Sequence, residues 1–209
     1  ELMAEGDYFA YCRSIYPVRI HSMAPDISVE SLDSFAILEE DLEMDNTEKG
    51  LLGEGGYSTV FRAVWRGDNV AVKRMHLDYD SPVSGAKLQV FSEFRKEVET
   101  MRSIPHENIV SLKGICLQPF MMVLEYMNGG DLFHYIHDEK NKLSWKLKIS
   151  IAHNTASGLG FLHSVTPPIV HRDMKSPNIL LHKCAETGSI VAKIADFGLS
   201  KFFTINKCD

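Results

Sequence analysis

The 209-residue sequence contains no uninterrupted apolar stretch of the ~18 residues a membrane-spanning helix requires. It begins at Glu1 without the basic-then-apolar opening of a secretion signal, and is expected to be a piece of a longer chain. Cysteine is scarce. Cys12, Cys116, Cys184 and Cys208 form no CxxC pair, which argues against a zinc site or disulfide framework and for free thiols in a reducing, cytoplasmic setting. There is no GxxxxGK[ST] phosphate loop. Positive charge is not in excess either, since the formal net charge is -6. Residues 1–50 carry twelve acidic against three basic side chains, which leaves the remainder mildly basic. That distribution excludes a general nucleic-acid binder and leaves room for a local basic cleft facing a phosphorylated ligand.

What is present has the composition of a soluble globular protein, with 44% hydrophobic and 24% charged residues. Residues 1–45 read as an acidic leader, a linker or the end of an upstream domain, and the run EEDLEMD (39–45) as solvated surface. From Leu51 the pattern predicts strand, glycine turn, strand, a Gly67-Asp68-Asn69 turn, and strand. Val60, Arg62 and Val64 fall on one side of the second strand, and Phe61, Ala63 and Trp65 on the other. Residues 78–87 form a polar loop, and Phe94, Val98 and Met101 then mark a helix face that Pro105 ends. Two apolar strands near 109–117 and 120–126 precede a helical region. There DLFHYIH is followed by a run from Trp145 to about His163, with Ile149, Ala152, Ala156, Leu159 and Leu162 on its packing face. Short strands follow in IVH, ILL and VAKIAD. A strand-rich front and a helix-rich back predict an α+β fold of two lobes with a cleft between them, 46–127 and 128–209.

The turn G53-E-G55-G-Y-S58-T-V60 lies between two strands, not between strand and helix, so it is no dinucleotide fingerprint. Glycines there let backbone N–H groups approach anionic oxygens closely. Lys73, within V70-A-V-K73, alternates with apolar neighbours on a central strand. A lysine so placed needs an anion or a carboxylate. Glu93 and Glu97, four residues apart on one helix face, are both candidates. The stretch H171-R-D173-M-K175-S-P-N178, followed by D196-F-G198, is chemically dense. Asp173 is placed to accept a proton from a hydroxyl and Lys175 to neutralise a transferring phosphoryl group, while Asn178 and Asp196 offer oxygen ligands to Mg²⁺. His171 and Phe197 are expected to hold these loops and not to act as a base.

These segments resemble the eukaryotic protein kinases, whose signatures are GxGxxGxV, VAIK, HRDLxxxxN and DFG. The resemblance covers roughly residues 46–209, less than a full domain of that family. It implies a two-lobed kinase fold binding ATP with Mg²⁺ or Mn²⁺. It further implies Glu97 as the partner of Lys73, and Leu124 as gatekeeper. Glu125 and Met127 become hinge residues at the adenine, with Asp131 as a ribose- or substrate-facing acid. Leu52, Gly53, Gly55, Gly56, Ser58, Val60, Ala71 and Leu180 complete the nucleotide-binding set. Ser58 departs from the family by replacing the third glycine. Lys175, with GGDLFHYIH and LSWKLKISIA, resembles the tyrosine-kinase-like serine/threonine group. The 23-residue interval from Asp173 to Asp196 and the extended loop between Lys73 and Glu97 resemble its Roco (leucine-rich-repeat kinase-like) branch. That branch implies protein substrates bearing Ser or Thr, and a GTPase-like regulatory domain within a longer parent chain. The alternative is a catalytically impaired, nucleotide-binding regulatory module.

Overall fold

The computed structural model describes residues 35–45, 47–76, 85–117 and 119–203. Cys12, Cys208, residues 1–34 and most of the loop expected at 78–87 lie outside them. The chain divides into two units, one of residues 1–94 and 112–126, the other of residues 95–111 and 127–209. The first is strand-rich and the second holds two of the three α-helices among the described residues, so the fold is mixed α+β.

The first unit is a six-stranded antiparallel sheet. Its strands are β1 (Leu42–Met44), β2 (Leu51–Glu54), β3 (Ser58–Trp65), β4 (Asp68–Met75), β5 (Leu112–Leu117) and β6 (Phe120–Glu125), in the order β1-β3-β4-β6-β5 with β2 also on β3. β3 and β4 form a long hairpin that pairs Trp65 with Asp68. Its turn is therefore the two-residue Arg66-Gly67, with φ of 52° and 86°, and not the expected Gly67-Asp68-Asn69. Two positive φ angles match the right-handed twist of the flanking strands, which frees Asp68 and Asn69 to start β4.

The pairings Val60↔Lys73↔Met122 and Arg62↔Ala71↔Leu124 place these residues on one face of the sheet. The opposite face carries Ala63, Val70, Val72, Cys116, Met121 and Val123, which form a buried cluster with Ile37 and Leu42. Residues 35–45 thus belong to this sheet. The Ile37 N–H bonds the Ile115 carbonyl at 2.7 Å on the β5 edge, and β1 pairs with Ala63–Trp65 of β3 at the other edge. Between those edges Ile37, Leu38 and Leu42 are buried. A Cβ at Gly114 would collide with the Ile37 side chain, so glycine at 114 makes room for the strap. Asp45 closes it through an ion pair to Arg62, whose guanidinium pKa is raised by Asp45 first and by Tyr126 to a smaller degree. The acidic run is only partly solvated surface: Glu39, Glu40, Asp41 and Glu43 are exposed, Asp45 is half-buried against Arg62, and Leu42 packs inward.

Helix α1 (Gly85–Ser103) begins inside the segment expected as loop, since residues 85–87 are helical. Phe94, Val98 and Met101 are buried as the periodicity predicts. In the first unit Phe91 and Phe94 each stack 5.2 Å from Phe120.

In the second unit, α2 (Leu132–His137) is capped by Asp131 and α3 (Trp145–Ser164) by Ser144. Strands β8 (Ile179–Lys183) and β9 (Ile190–Ile194) form a hairpin, and β7 (Ile169–Val170) pairs with β10 (Lys201–Phe202), which the sequence did not suggest. Tyr135, Ile151, Leu181 and Ala192 form its core. The packing face of α3 differs from the expected one. Leu162 is buried and Leu159 half-buried as expected, but Ile149, Ala152 and Ala156 are exposed, and Ile151 and Gly158 are buried instead. A Cβ at Gly158 would stand 2.9 Å from the Asn108 carbonyl oxygen, so α3 packs tightly at a position that has no side chain. Among the described residues no helix is long and apolar enough to cross a membrane.

Candidate functional site

In the first unit the glycine-rich turn joins β2 to β3, and the Gly55 N–H bonds the Ser58 carbonyl at 2.8 Å. A Cβ at Gly53 or Gly56 would meet nothing within 4 Å, so the chain's own packing does not demand glycine there. Open backbone of this kind suits the close approach of an anionic ligand. Leu52 is exposed, and Ser58 and Val60 are half-buried at the start of β3. Lys73 shares its sheet face with Val60, Ala71 and Leu124, and Glu125 pairs with Val70 at the end of β6.

The two candidate glutamates differ in burial. Glu93 is half-buried and accepts from the Gln89 amide, whereas Glu97 is only 4% exposed. The Glu97 carboxylate lies beside Gly198, whose added Cβ would be 3.7 Å from Glu97 Oε2 and 3.5 Å from Asp196 Oδ1. Glu97 and the Asp196–Gly198 turn therefore share one neighbourhood of the second unit.

The residues of the HRDMKSPN stretch converge because its last three form a single 3-10 turn, Ser176–Asn178. That turn brings Asn178 back onto Asp173. The Asn178 Nδ2 donates to the Asp173 backbone carbonyl at 2.8 Å and to its Oδ2 at 2.9 Å. Lys175 Nζ donates to the same Oδ2 at 2.7 Å. The ammonium of Lys175 is the main reason the Asp173 carboxyl is held below the usual carboxylate range, with Asn178 adding to it. The Lys175 pKa is raised in turn by Asp173, and more weakly by the charge of Asp196. Both Asn178 hydrogen bonds use its amide nitrogen, which leaves Oδ1 as the end suited to a metal. Among the described residues no group of three or more His, Cys, Asp or Glu side chains could hold a metal ion alone. A pair of oxygen donors such as Asn178 and Asp196 fits Mg²⁺ that completes its shell with phosphate oxygens and water.

His171 is buried, and both its nitrogens are engaged. Its Nε2 donates to the Ala195 carbonyl at 3.0 Å, and its Nδ1 accepts from the Asp173 N–H at 3.3 Å. Its ring also meets Phe197 edge-on at 5.0 Å. It is a brace between the two loops, as its position in the motif suggested. Arg172, with φ 66°, bonds the Leu199 carbonyl through Nε. Asp196 also has positive φ, at 65°. Left-handed backbone at non-glycine residues costs about 1–3 kcal/mol each and concentrates at functional sites.

Asp131 has an occupation the sequence reading passed over. Its Oδ1 accepts from the His134 N–H at 2.9 Å and its Oδ2 from His134 Nδ1 at 2.7 Å, so both oxygens cap α2. The available signal was an aspartate directly before an amphipathic LFHYIH segment. Asp131 also pairs with Leu180 in an isolated antiparallel bridge, and Met127 is buried just ahead of it.

The sequence profile of the family "Protein tyrosine and serine/threonine kinase" matches residues 47–208. Two similar proteins of Dictyostelium discoideum are described as "Probable serine/threonine-protein kinase pats1" and "Probable serine/threonine-protein kinase roco9". The first is 40% identical over 188 residues, covering 88% of this chain and 6% of that protein. The second is 38% identical over 206 residues, covering 98% of this chain and 6% of that protein. A third, "Cyclic GMP-binding protein C" of the same organism, is 34% identical over 203 residues, covering 88% of this chain and 8% of its own length. The chain thus spans less than a tenth of the length of these relatives. With the motif residues assembled as described, the chain belongs to the protein tyrosine and serine/threonine kinase family and is closely related to the Dictyostelium Roco kinases.

Proposed function

We propose that the chain is an ATP-binding kinase module that transfers the γ-phosphoryl group of ATP to Ser or Thr hydroxyls of proteins. The observation that carries this reading is the Asp173–Lys175–Asn178 cluster. Asp173, kept ionised by Lys175, accepts a hydrogen bond from the acceptor hydroxyl and aligns it. As the hydroxyl oxygen bonds to phosphorus, the bond to the ADP oxygen breaks and the hydroxyl proton passes to Asp173. Lys175 faces the charge that develops on the transferred group. Asn178 and Asp196 would hold a magnesium ion, which would neutralise phosphate charge when bound; Mn²⁺ would suit the same oxygens.

In this reading Leu52, Gly53, Gly55, Gly56, Ser58 and Val60 cover the nucleotide, and Ala71, Leu124 and Leu180 line its base. Glu125 and Met127 present backbone groups to the adenine, and Asp131 stands at the ribose or the substrate. Lys73 binds the phosphates with Glu97 as its carboxylate. The partners are proteins bearing Ser or Thr, with a GTPase-like regulatory domain elsewhere in a longer cytoplasmic chain. The test is labelled phosphate transfer from ATP to a broad Ser/Thr peptide panel, alongside nucleotide binding measured by thermal shift. Asp173→Asn is expected to abolish most transfer while binding persists, and equal transfer by that variant rejects Asp173 as the base.

A second reading is a nucleotide-binding regulatory module with impaired transfer. The family match and the fold support this coarser assignment more directly than they support transfer. Ser58 in place of a third loop glycine favours it, because its Cβ restricts the backbone where the phosphates approach. A relative named for cyclic GMP binding points the same way. Binding without transfer to any peptide decides for this reading.

A further inference from the structure

The segment that follows β6 carries two residues assigned to the nucleotide, Met127 and Asp131, yet Gly129 and Gly130 stand between them. Consecutive glycines give a chain little stiffness of its own, so its placement must come from neighbours. The neighbour here is the outer edge of β8. The Gly129 N–H bonds the Leu181 carbonyl at 2.8 Å, and the Leu181 N–H bonds the Gly130 carbonyl at 2.8 Å. One step further along, the Asn128 side chain takes over the pattern. Its Nδ2 donates to the Lys183 carbonyl at 3.0 Å, and its Oδ1 accepts from the Lys183 N–H at 2.7 Å.

The carboxamide thus supplies both the donor and the acceptor that a paired strand residue would supply. A carboxylate at this position lacks the donor, and a methyl lacks both. The approach is also sterically exact in its demand at 129, where a Cβ would sit 2.6 Å from the Leu181 carbonyl oxygen.

β8 is the element that connects the two ends of the proposed site within this unit. It starts directly after Asn178, and Leu180 on it pairs with Asp131. Its partner β9 ends at Ile194, two residues before Asp196. Segment 127–131 at the adenine end and Asn178 with Asp196 at the metal end are therefore registered against the same hairpin.

We infer that Asn128 is a positioning residue for the nucleotide, which by locking the 127–131 segment onto β8 sets the spacing between the adenine-contacting and metal-holding residues. This rests on the ATP-binding reading above. It makes a distinction that a loss of general stability does not. A ligand spanning both ends, Mg·ATP, depends on the register, whereas adenosine, which occupies one end, does not.

The test compares Mg·ATP and adenosine binding by calorimetry to the full 209-residue chain, its Asn128→Ala and Asn128→Asp variants, and Asn141→Ala as a control that removes another half-buried amide, one donating to the Tyr135 carbonyl of α2. Loss of both side-chain bonds is expected to weaken Mg·ATP about fivefold, with Asn128→Asp between that and the parent. Adenosine affinity is expected to stay within about twofold in every variant, and Asn141→Ala to match the parent for both ligands. Equal Mg·ATP affinity in Asn128→Ala and parent overturns the role of Asn128 and leaves the ATP-binding reading standing. Equal weakening of adenosine and Mg·ATP overturns it as well, because it marks a loosened fold. If the parent binds neither ligand, the ATP-binding reading itself fails.

Discussion

The strap formed by residues 35–45 predicts a specific energetic coupling between two positions 77 residues apart. Ile37 is 2% exposed and packs in the cluster with Val70, Val72 and Val123. Replacing it by alanine leaves a cavity in that face, at a cost of about 2–5 kcal/mol. Gly114→Ala has the opposite fault, since the added methyl would collide with Ile37 Cδ1 and stand 2.6 Å from its Cγ1. Overpacking of this kind costs about 1–3 kcal/mol. In the double variant the new methyl enters space that the isoleucine has left, so the two faults partly cancel. Relief is incomplete because the Phe35 carbonyl oxygen, 2.9 Å from the added Cβ, does not move away with the side chain. The double variant should therefore be more stable than the sum of the single effects by about 1 kcal/mol or more. Urea unfolding measures this through Trp65, which packs against the cluster, in a Trp145→Phe background that removes the exposed second tryptophan. Additivity within ~0.5 kcal/mol refutes the contact, as does an Ile37→Ala cost typical of a surface site, below ~0.5 kcal/mol.

Asp45 supplies a pH-dependent prediction at the same strap. Its pKa is lowered to about 2, first by the Thr47 hydroxyl and then by Arg62, from 3.8. The folded pKa lies below the unfolded one, so its contribution is complete above about pH 4–5 and lost as pH falls towards 2. The melting-temperature gap between parent and Asp45→Asn should be open at neutral pH and close over that window, and a pH-independent gap contradicts the assignment. Lys175→Met removes the chief influence that depresses the Asp173 carboxyl. The acid limb of the transfer rate should then move to higher pH, together with a loss of maximal rate; an unmoved limb separates Lys175 from Asp173.

The hairpin strands and α1 were legible because alternation and a 3.6-residue period survive wherever one face is buried and the other is wet. Phe94, Val98 and Met101 illustrate this. The Asp173–Lys175–Asn178 cluster was legible for a different reason, since these residues lie within one short turn and need no distant partner to meet. The packing face of α3 was only partly legible, through Leu162, because Gly158 packs tightly and leaves no hydrophobic mark. The strap was hidden too. Leu42 stands among acidic neighbours in EEDLEMD, and its burial follows from a sheet whose strands lie further along the chain. Gly114 looks like any strand glycine until Ile37 is seen against it. The second role of Asp131 and the pairing of Asn128 depend on helix α2 and strand β8, so neither could be read from the hinge segment alone.

The proposed function requires that Lys73 hold the phosphates of a bound nucleotide and that Asp196 hold its metal ion. Calorimetric titration of ATP into the chain, with and without Mg²⁺, and into Lys73→Met and Asp196→Asn, tests it most directly. The account predicts saturable, Mg²⁺-dependent binding to the parent, weakened severely in Lys73→Met, and a loss of the Mg²⁺ dependence in Asp196→Asn. Parent-like, Mg²⁺-dependent binding in both variants, or no binding by the parent, contradicts it.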